Sequence, residues 1–163
     1  MGLLTSLLNS TLYVQLAPDR LTVRNPKSGA AFSEVPEVAI ARGPKNRIVG
    51  IGNEARAHAN DPSVVIINPF SHPRSLVSDF VLGEQLLKEV VRRVNAKAMF
   101  NAPRVVMHPL GEPAGGFTQI EARALHEMAI GAGASEVKVW AGRKLTDGEV
   151  LSGTFPSEGE LLA

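Results

Sequence analysis

The stretch that decides the fold is Arg104-Val105-Val106-Met107, the glycine-bearing loop 109–117, Thr118-Gln119-Ile120-Glu121, and finally Glu136-Val137-Lys138-Val139-Trp140. The first four residues read as a strand, and Glu136 to Trp140 alternate as another. Between them, Thr118 and Glu121 have the spacing of a capping box, and Ile120, Ala124, Leu125 and Met128 form an apolar stripe behind it. Gly131 or Gly133 ends that helix. A strand, a helix and a strand so joined form a parallel unit with a right-handed crossover.

Working outward, the next helix upstream spans about 78 to 98. Leu86, Val90 and Val94 recur at i, i+4, i+8, and Leu87 and Val91 widen the stripe. Its other side carries Glu84, Lys88 and Arg92, then Glu89, Arg93 and Lys97, acid first at each i+4 step, which reads as a solvated face. Earlier still, Leu12 to Leu16 and Leu21 to Val23 alternate around Pro18-Asp19 as a tight hairpin. Val35, Val38 and Ile40 mark a third extended segment, in which Pro36 demands an edge position or a break. Arg47 to Gly52 and Ser63 to Ile67 read as further strands, with Asn53 as the N-cap of a brief helix through Ala59. The order predicts an α/β fold, a mixed sheet with antiparallel first strands and parallel β-α-β additions. Three regions are expected: an apolar segment 1–10, a single folded unit 11–141, and a flexible tail 142–163. Gly142, Gly148, Gly153 and Gly159 and the acids Asp147, Glu149, Glu158 and Glu160 give the last its character.

With 163 residues, 44% hydrophobic and 20% charged, the chain has the apolar material for one core. Seventeen basic and 16 acidic side chains leave a net charge of +1, too balanced for a dedicated nucleic-acid binder. The absence of cysteine removes disulfides, thiolate nucleophiles and cysteine-bound metals. No apolar run is long enough to span a bilayer and the N-terminus lacks a secretory pattern, so a cytoplasmic protein is expected. Leu3, Leu4, Leu7 and Leu8 share an amphipathic spacing that suits packing against the protein or weak contact with the inner membrane.

Most familiar chemistry is excluded. His58, His72, His108 and His126 stand at no metal-ligand interval, and His126-Glu127 lacks the second histidine of a zincin because Ile130 occupies that position. There is no Gly-x-Ser-x-Gly elbow and no Walker lysine. Gly131-Ala132-Gly133 follows a helix and has Glu136 where a dinucleotide fingerprint needs glycine. The remaining phosphate-site geometry is Gly115-Gly116-Phe117-Thr118, at a helix N-terminus.

Several strings carry a resemblance. They are Glu34-Val35-Pro36-Glu37-Val38-Ala39-Ile40, Gly50-Ile51-Gly52 with Ala55, Asn68-Pro69, Asp79-Phe80, Pro103-Arg104-Val105, Thr118-Gln119-Ile120-Glu121, Gly131-Ala132-Gly133-Ala134 and Glu136-Val137. From Leu12 to Trp140 the chain resembles the N-terminal lobe of the MreB family, the bacterial actins that direct rod shape. The resemblance implies an actin-like, ribonuclease H-like lobe and only the first half of a two-lobed fold whose nucleotide lies between the lobes. In the family the first hairpin turn reads Asp-x-Gly-Thr, with the carboxylate serving magnesium and backbone amides holding phosphate. Gln15-Leu16-Ala17-Pro18 stands there in this chain: Gln15 is neutral, Ala17 resists positive φ, and Pro18 has no N–H. The family's Glu-Glu-Pro is replaced by Ala141-Gly142-Arg143. Glu121 matches the glutamate that orients the attacking water, and it serves equally well as the third residue of a capping box.

The resemblance therefore implies a half-length protein without a competent ATP site, cofactor or metal, acting as a binding or assembly module in cell-shape or cytoskeletal organisation. Its partner is expected to be a second copy or another protein on the exposed inter-lobe face. The competing reading is a weak nucleotide hydrolase that uses Glu121 and the Gly115-Gly116 loop.

Overall fold

A computed structural model describes residues 9–98 and 101–163. The leucines at 3, 4, 7 and 8 lie outside the described residues. The hairpin forms as its alternation predicts: β1 (Thr11–Ala17) pairs antiparallel with β2 (Arg20–Arg24), Ala17 opposite Arg20, so the turn holds Pro18 and Asp19 alone. β3 (Ala31–Glu34) extends the sheet beyond β2. On the other side of β1, β7 (Arg104–Pro109) and then β8 (Glu136–Ala141) add in parallel. With β9 (Glu160–Leu161) the order is β3-β2-β1-β7-β8-β9. The expected α/β class and mixed sheet are what the structure has.

The segment around Val35, Val38 and Ile40 is not one strand. β3 ends at Glu34, and β4 (Val38–Ala41) belongs to a second sheet of order β5-β4-β6, with β5 (Arg47–Ile51) and β6 (Val64–Ile67). Pro36, which cannot donate to a ladder, sits where the chain changes sheets. The strings around it are explained by this junction. Gly52 N–H donates to the Glu37 carbonyl at 2.8 Å, and the Arg56 guanidinium reaches the Glu37 carboxylate at 2.6 Å. Gly52 has φ +59°, and a Cβ there would lie 2.8 Å from Glu34 Oε1. The brief helix α1 (Asn53–Arg56) is shorter than expected, and Asn53 is not its N-cap. Gly52 holds that position without a side-chain bond, while Glu34 Oε1 accepts from Asn53 N–H at 2.7 Å.

Helix α2 (Phe80–Val94) begins where Asp79 accepts from Leu82 N–H at 3.0 Å. It buries the expected stripe of Leu86, Leu87, Val90, Val91 and Val94. It is shorter than predicted, because Asn95 ends it and Ala96–Ala98 tighten into a 3-10 turn. Helix α3 (Gln119–Gly131) starts with the predicted capping box and buries Ala122, Leu125, Met128 and Ala129. Ile120 does not join that stripe and is 82% exposed. It stands in the first turn, at the helix rim. Both helices cover one sheet face, sharing a core with Leu12, Val14, Leu16, Val105, Met107, Val137 and Val139.

The second sheet face is covered too, by the segment expected to be a flexible acidic tail. Residues 142–163 contain helix α4 (Asp147–Ser152) and strand β9, and Leu145 and Val150 are buried with Tyr13, Val106 and Trp140. Glycine and acid content suggested disorder, but the acids have structural partners. Thr146 and Glu149 make a second capping box, and the Glu149 carboxylate takes both ends of the Arg143 guanidinium at 2.9 and 2.8 Å.

Candidate functional site

In an open α/β sheet, ligands gather at the carboxyl ends of the parallel strands. Here those ends are Leu16 of β1 and Pro109 of β7, aligned in register and joined beyond it by Leu110 N–H donating to the Leu16 carbonyl at 2.8 Å. The β1–β2 turn and the loop leading to α3 therefore rise from one rim. Asn68, just past β6, also reaches it: its Nδ2 donates to the Pro18 carbonyl at 2.7 Å while its Oδ1 accepts from Phe70 N–H at 2.9 Å. One side chain thus ties the small sheet to the hairpin turn.

In the loop, Gly115 and Gly116 have φ +80° and +76°, with open space where a side chain would be. Gly116 N–H is spent within the loop, on the Pro113 carbonyl at 2.8 Å. At the start of α3, Glu121 Oε2 accepts from Thr118 N–H at 2.8 Å, and Thr118 Oγ1 accepts from Glu121 N–H at 3.1 Å. Glu121 occupies the capping position, and two of the amide donors of that helix start are satisfied internally. Among the described residues no group of three or more His, Asp or Glu side chains is placed to hold a metal ion. Away from this rim, a groove of about 530 Å³ separates β5 from α2. Glu89 lies along it, bonded to Arg92 and Arg93, which hold its carboxyl down at about 2 despite partial burial.

A second polar cluster was missed in the sequence. His108, 2% exposed, meets the Tyr13 hydroxyl through Nδ1 at 2.6 Å and the Gly142 carbonyl through Nε2 at 2.9 Å, while Leu145 N–H donates to the same hydroxyl at 3.1 Å. A carbonyl only accepts, so Nε2 carries the proton and Nδ1 accepts from Tyr13. Burial lowers the His108 pKa and raises that of Tyr13. The clue in the sequence was the strand alternation that puts both on one sheet face, opposite the helices.

The double-sided sheet, its antiparallel hairpin and its parallel additions define an α/β lobe of the actin-like class. Crystal structures of MreB5 of Spiroplasma citri, bound to AMPPNP and to ADP, each superpose with a TM-score of 0.64 over 80% of this chain at 17% identity, covering 38% and 37% of those chains. The chain belongs to the MreB/Mbl protein family, whose sequence profile matches residues 10–145. It is 31% identical over 137 residues to the cell shape-determining protein MreB of Haemophilus influenzae and 29% identical to that of Pasteurella multocida, covering 80% of this chain and 37% of each relative. The chain thus spans little more than a third of the length of these relatives. Among the described residues, no helix is long and apolar enough to cross a membrane.

Proposed function

We propose that this chain is a nucleotide-independent MreB-family lobe, a binding or assembly module in bacterial cell-shape or cytoskeletal organisation. The carrying observation is the β1–β2 turn. Where a phosphate cradle needs outward amide donors and a carboxylate for the cation, this turn offers neutral Gln15, Pro18 without an N–H, and a Pro18 carbonyl occupied by Asn68. Magnesium ATP does not fit that chemistry. Glu121, bonded within its capping box, supports the capping role over the hydrolytic one, and the inward Gly116 amide weakens the case for the Gly115-Gly116 loop as an anion site.

The partner in this reading is a second copy of the chain, meeting through the inter-lobe rim in an isologous contact. Ile120, exposed beside that rim, supplies apolar surface for it. The module acts in the cytoplasm or peripherally at the inner membrane. Titration calorimetry with magnesium ATP, beside light scattering at tens of micromolar, tests both parts. No binding heat and a dimeric mass are expected; a magnesium-dependent binding isotherm refutes the first part, and a monomeric mass the second.

A further inference from the structure

Residues 146–163 lie beyond the family match, yet they cover the second face of the sheet. Leu162 N–H donates to the Val139 carbonyl and Val139 N–H to the Ala163 carbonyl, both at 2.8 Å, and Phe155 leans on Trp140 with ring centroids 5.4 Å apart. The Trp140 indole N–H donates to the Arg143 carbonyl at 2.9 Å. At its start, the segment is fastened to the sheet through the His108–Tyr13 pair, by the Gly142 carbonyl on one side and the Leu145 amide on the other. We infer that residues 142–163 form a strap over this face and that His108 is its latch, closed while the imidazole is neutral and released when it is protonated.

The reason is a count of protons. In the closed state both ring nitrogens, the Gly142 carbonyl and the Leu145 amide are each partnered, and the Tyr13 hydroxyl donates to Nδ1 while accepting from Leu145. Adding a proton to Nδ1 turns both ring nitrogens into donors, so Tyr13 must accept from His108 and Leu145 together and its own hydroxyl proton loses its acceptor. Among the described residues, the acids near the pair are engaged by arginines. The charged groups that act on the Tyr13–His108 pair are Arg24 from β2, Arg143 from the strap and Glu149 from α4, with Asp147 of α4 against Arg24 and Glu158 of the strap against Arg143. The two α4 acids are already paired, Asp147 with Arg24 and Glu149 with Arg143. The positive ring would sit in a desolvated site, and the strap relieves it by opening to water.

The sign follows. The closed state holds the His108 pKa below its ordinary 6.5, so the open state binds more protons as pH falls, and closure weakens on acidification. Opening then rises up to about 30-fold between pH 7.5 and 5 if the closed ring stays neutral throughout. Hydrogen exchange read by mass spectrometry on the full chain, corrected for intrinsic exchange at each pH, measures it. Strap amides in 142–163 are expected to lose protection by up to that factor, while core amides of α2 and α3 keep theirs, and His108→Gln is expected to flatten the pH dependence. Unchanged strap protection, strap and core loosening together, or an equal fall in His108→Gln would each overturn the proposal. Should His108→Gln fail to fold, Tyr13→Phe serves: it removes the hydroxyl that accepts from Leu145, so strap protection must drop already at pH 7.5 with α2 and α3 unaffected. Equal protection there refutes the latch.

Discussion

Asn68 Nδ2 donates to the Pro18 carbonyl at 2.7 Å, fastening the end of the small sheet to the hairpin turn of the large one. The bond closes the carbonyl side of the β1–β2 turn, in which Pro18 has no N–H to donate. Its counterpart within the same side chain, Asn68 Oδ1 accepting from Phe70 N–H, fixes the amide orientation. Asn68→Ala removes both bonds and is expected to cost about 1 to 3 kcal/mol in urea unfolding. Asn68→Asp should cost more, because it sets a carboxylate oxygen against a carbonyl. A neutral outcome for Asn68→Asp would contradict the tether.

Glu121 and Thr118 form a reciprocal cap, so their substitutions should act on stability. Thr118→Ala is expected to cost about 1 kcal/mol and Glu121→Ala somewhat less, measured by denaturant midpoint at constant slope. Glu121→Gln should stay close to the parent because an amide oxygen still accepts from Thr118 N–H. Any magnesium-dependent ATP turnover abolished by Glu121→Gln would restore the hydrolytic reading.

Two glycines give a contrast that separates a rigid contact from a yielding one. A Cβ at Gly159 would lie 2.2 Å from the Trp140 ring, which is packed in the core under the strap, and 2.6 Å from the carbonyl oxygen of Ala141, a residue of the β8–β9 pairing. At Gly131 the obstacle is the Glu84 carboxylate at 2.1 Å, the end of a flexible side chain. Gly159→Ala should therefore destabilise by roughly 1 to 3 kcal/mol through overpacking. Gly131→Ala should fall near zero, since helix propensity offsets the displaced carboxylate. Fluorescence of Trp140, the single tryptophan, reports the first directly.

The Glu149 carboxyl is held at about 2, first by the Arg143 guanidinium and then by the Thr146 backbone amide. A lowered carboxylate pKa stabilises the fold above the ordinary value of 4.5 and loses that contribution as pH falls toward 2. In Arg143→Ala, carbon-13 NMR titration should find Glu149 shifted upward yet still below 4.5, because Thr146 remains. An unshifted Glu149 would show that the ion pair does not form in solution.

Ile120 is 82% exposed, so Ile120→Glu should leave the melting temperature of the chain nearly unchanged. If the rim carries the contact between copies, sedimentation equilibrium should show dimer affinity falling at least tenfold. Undiminished self-association would place the interface elsewhere.

Much of this architecture was legible because the relevant signals are periodic. The apolar stripe from Leu86 to Val94 declares the buried side of α2, and the Thr118–Glu121 spacing declares the start of α3. Pro36 announced a break, but nothing local in the sequence says that the break carries the chain into a second sheet. Ile120 misled because an apolar residue in the first helical turn need not reach the core. The strap was hidden more deeply. Its acids and glycines look like disorder until Glu149 is paired with Thr146 and Arg143, and the need for a cover becomes visible only when Tyr13, Val106 and Trp140 fall on one face through strand register. The candidate rim was legible in its chemistry, through Gln15, Ala17 and Pro18. Its closure by Asn68, fifty positions away, depends on tertiary contact.

The most direct test of the central claim is an amide chemical-shift titration of the full chain with magnesium ATP, observing Leu16, Ala17, Asp19, Gly115 and Gly116. The account predicts that these resonances stay in place up to millimolar nucleotide. Saturable shifts at Ala17 and Asp19 that require magnesium would contradict it.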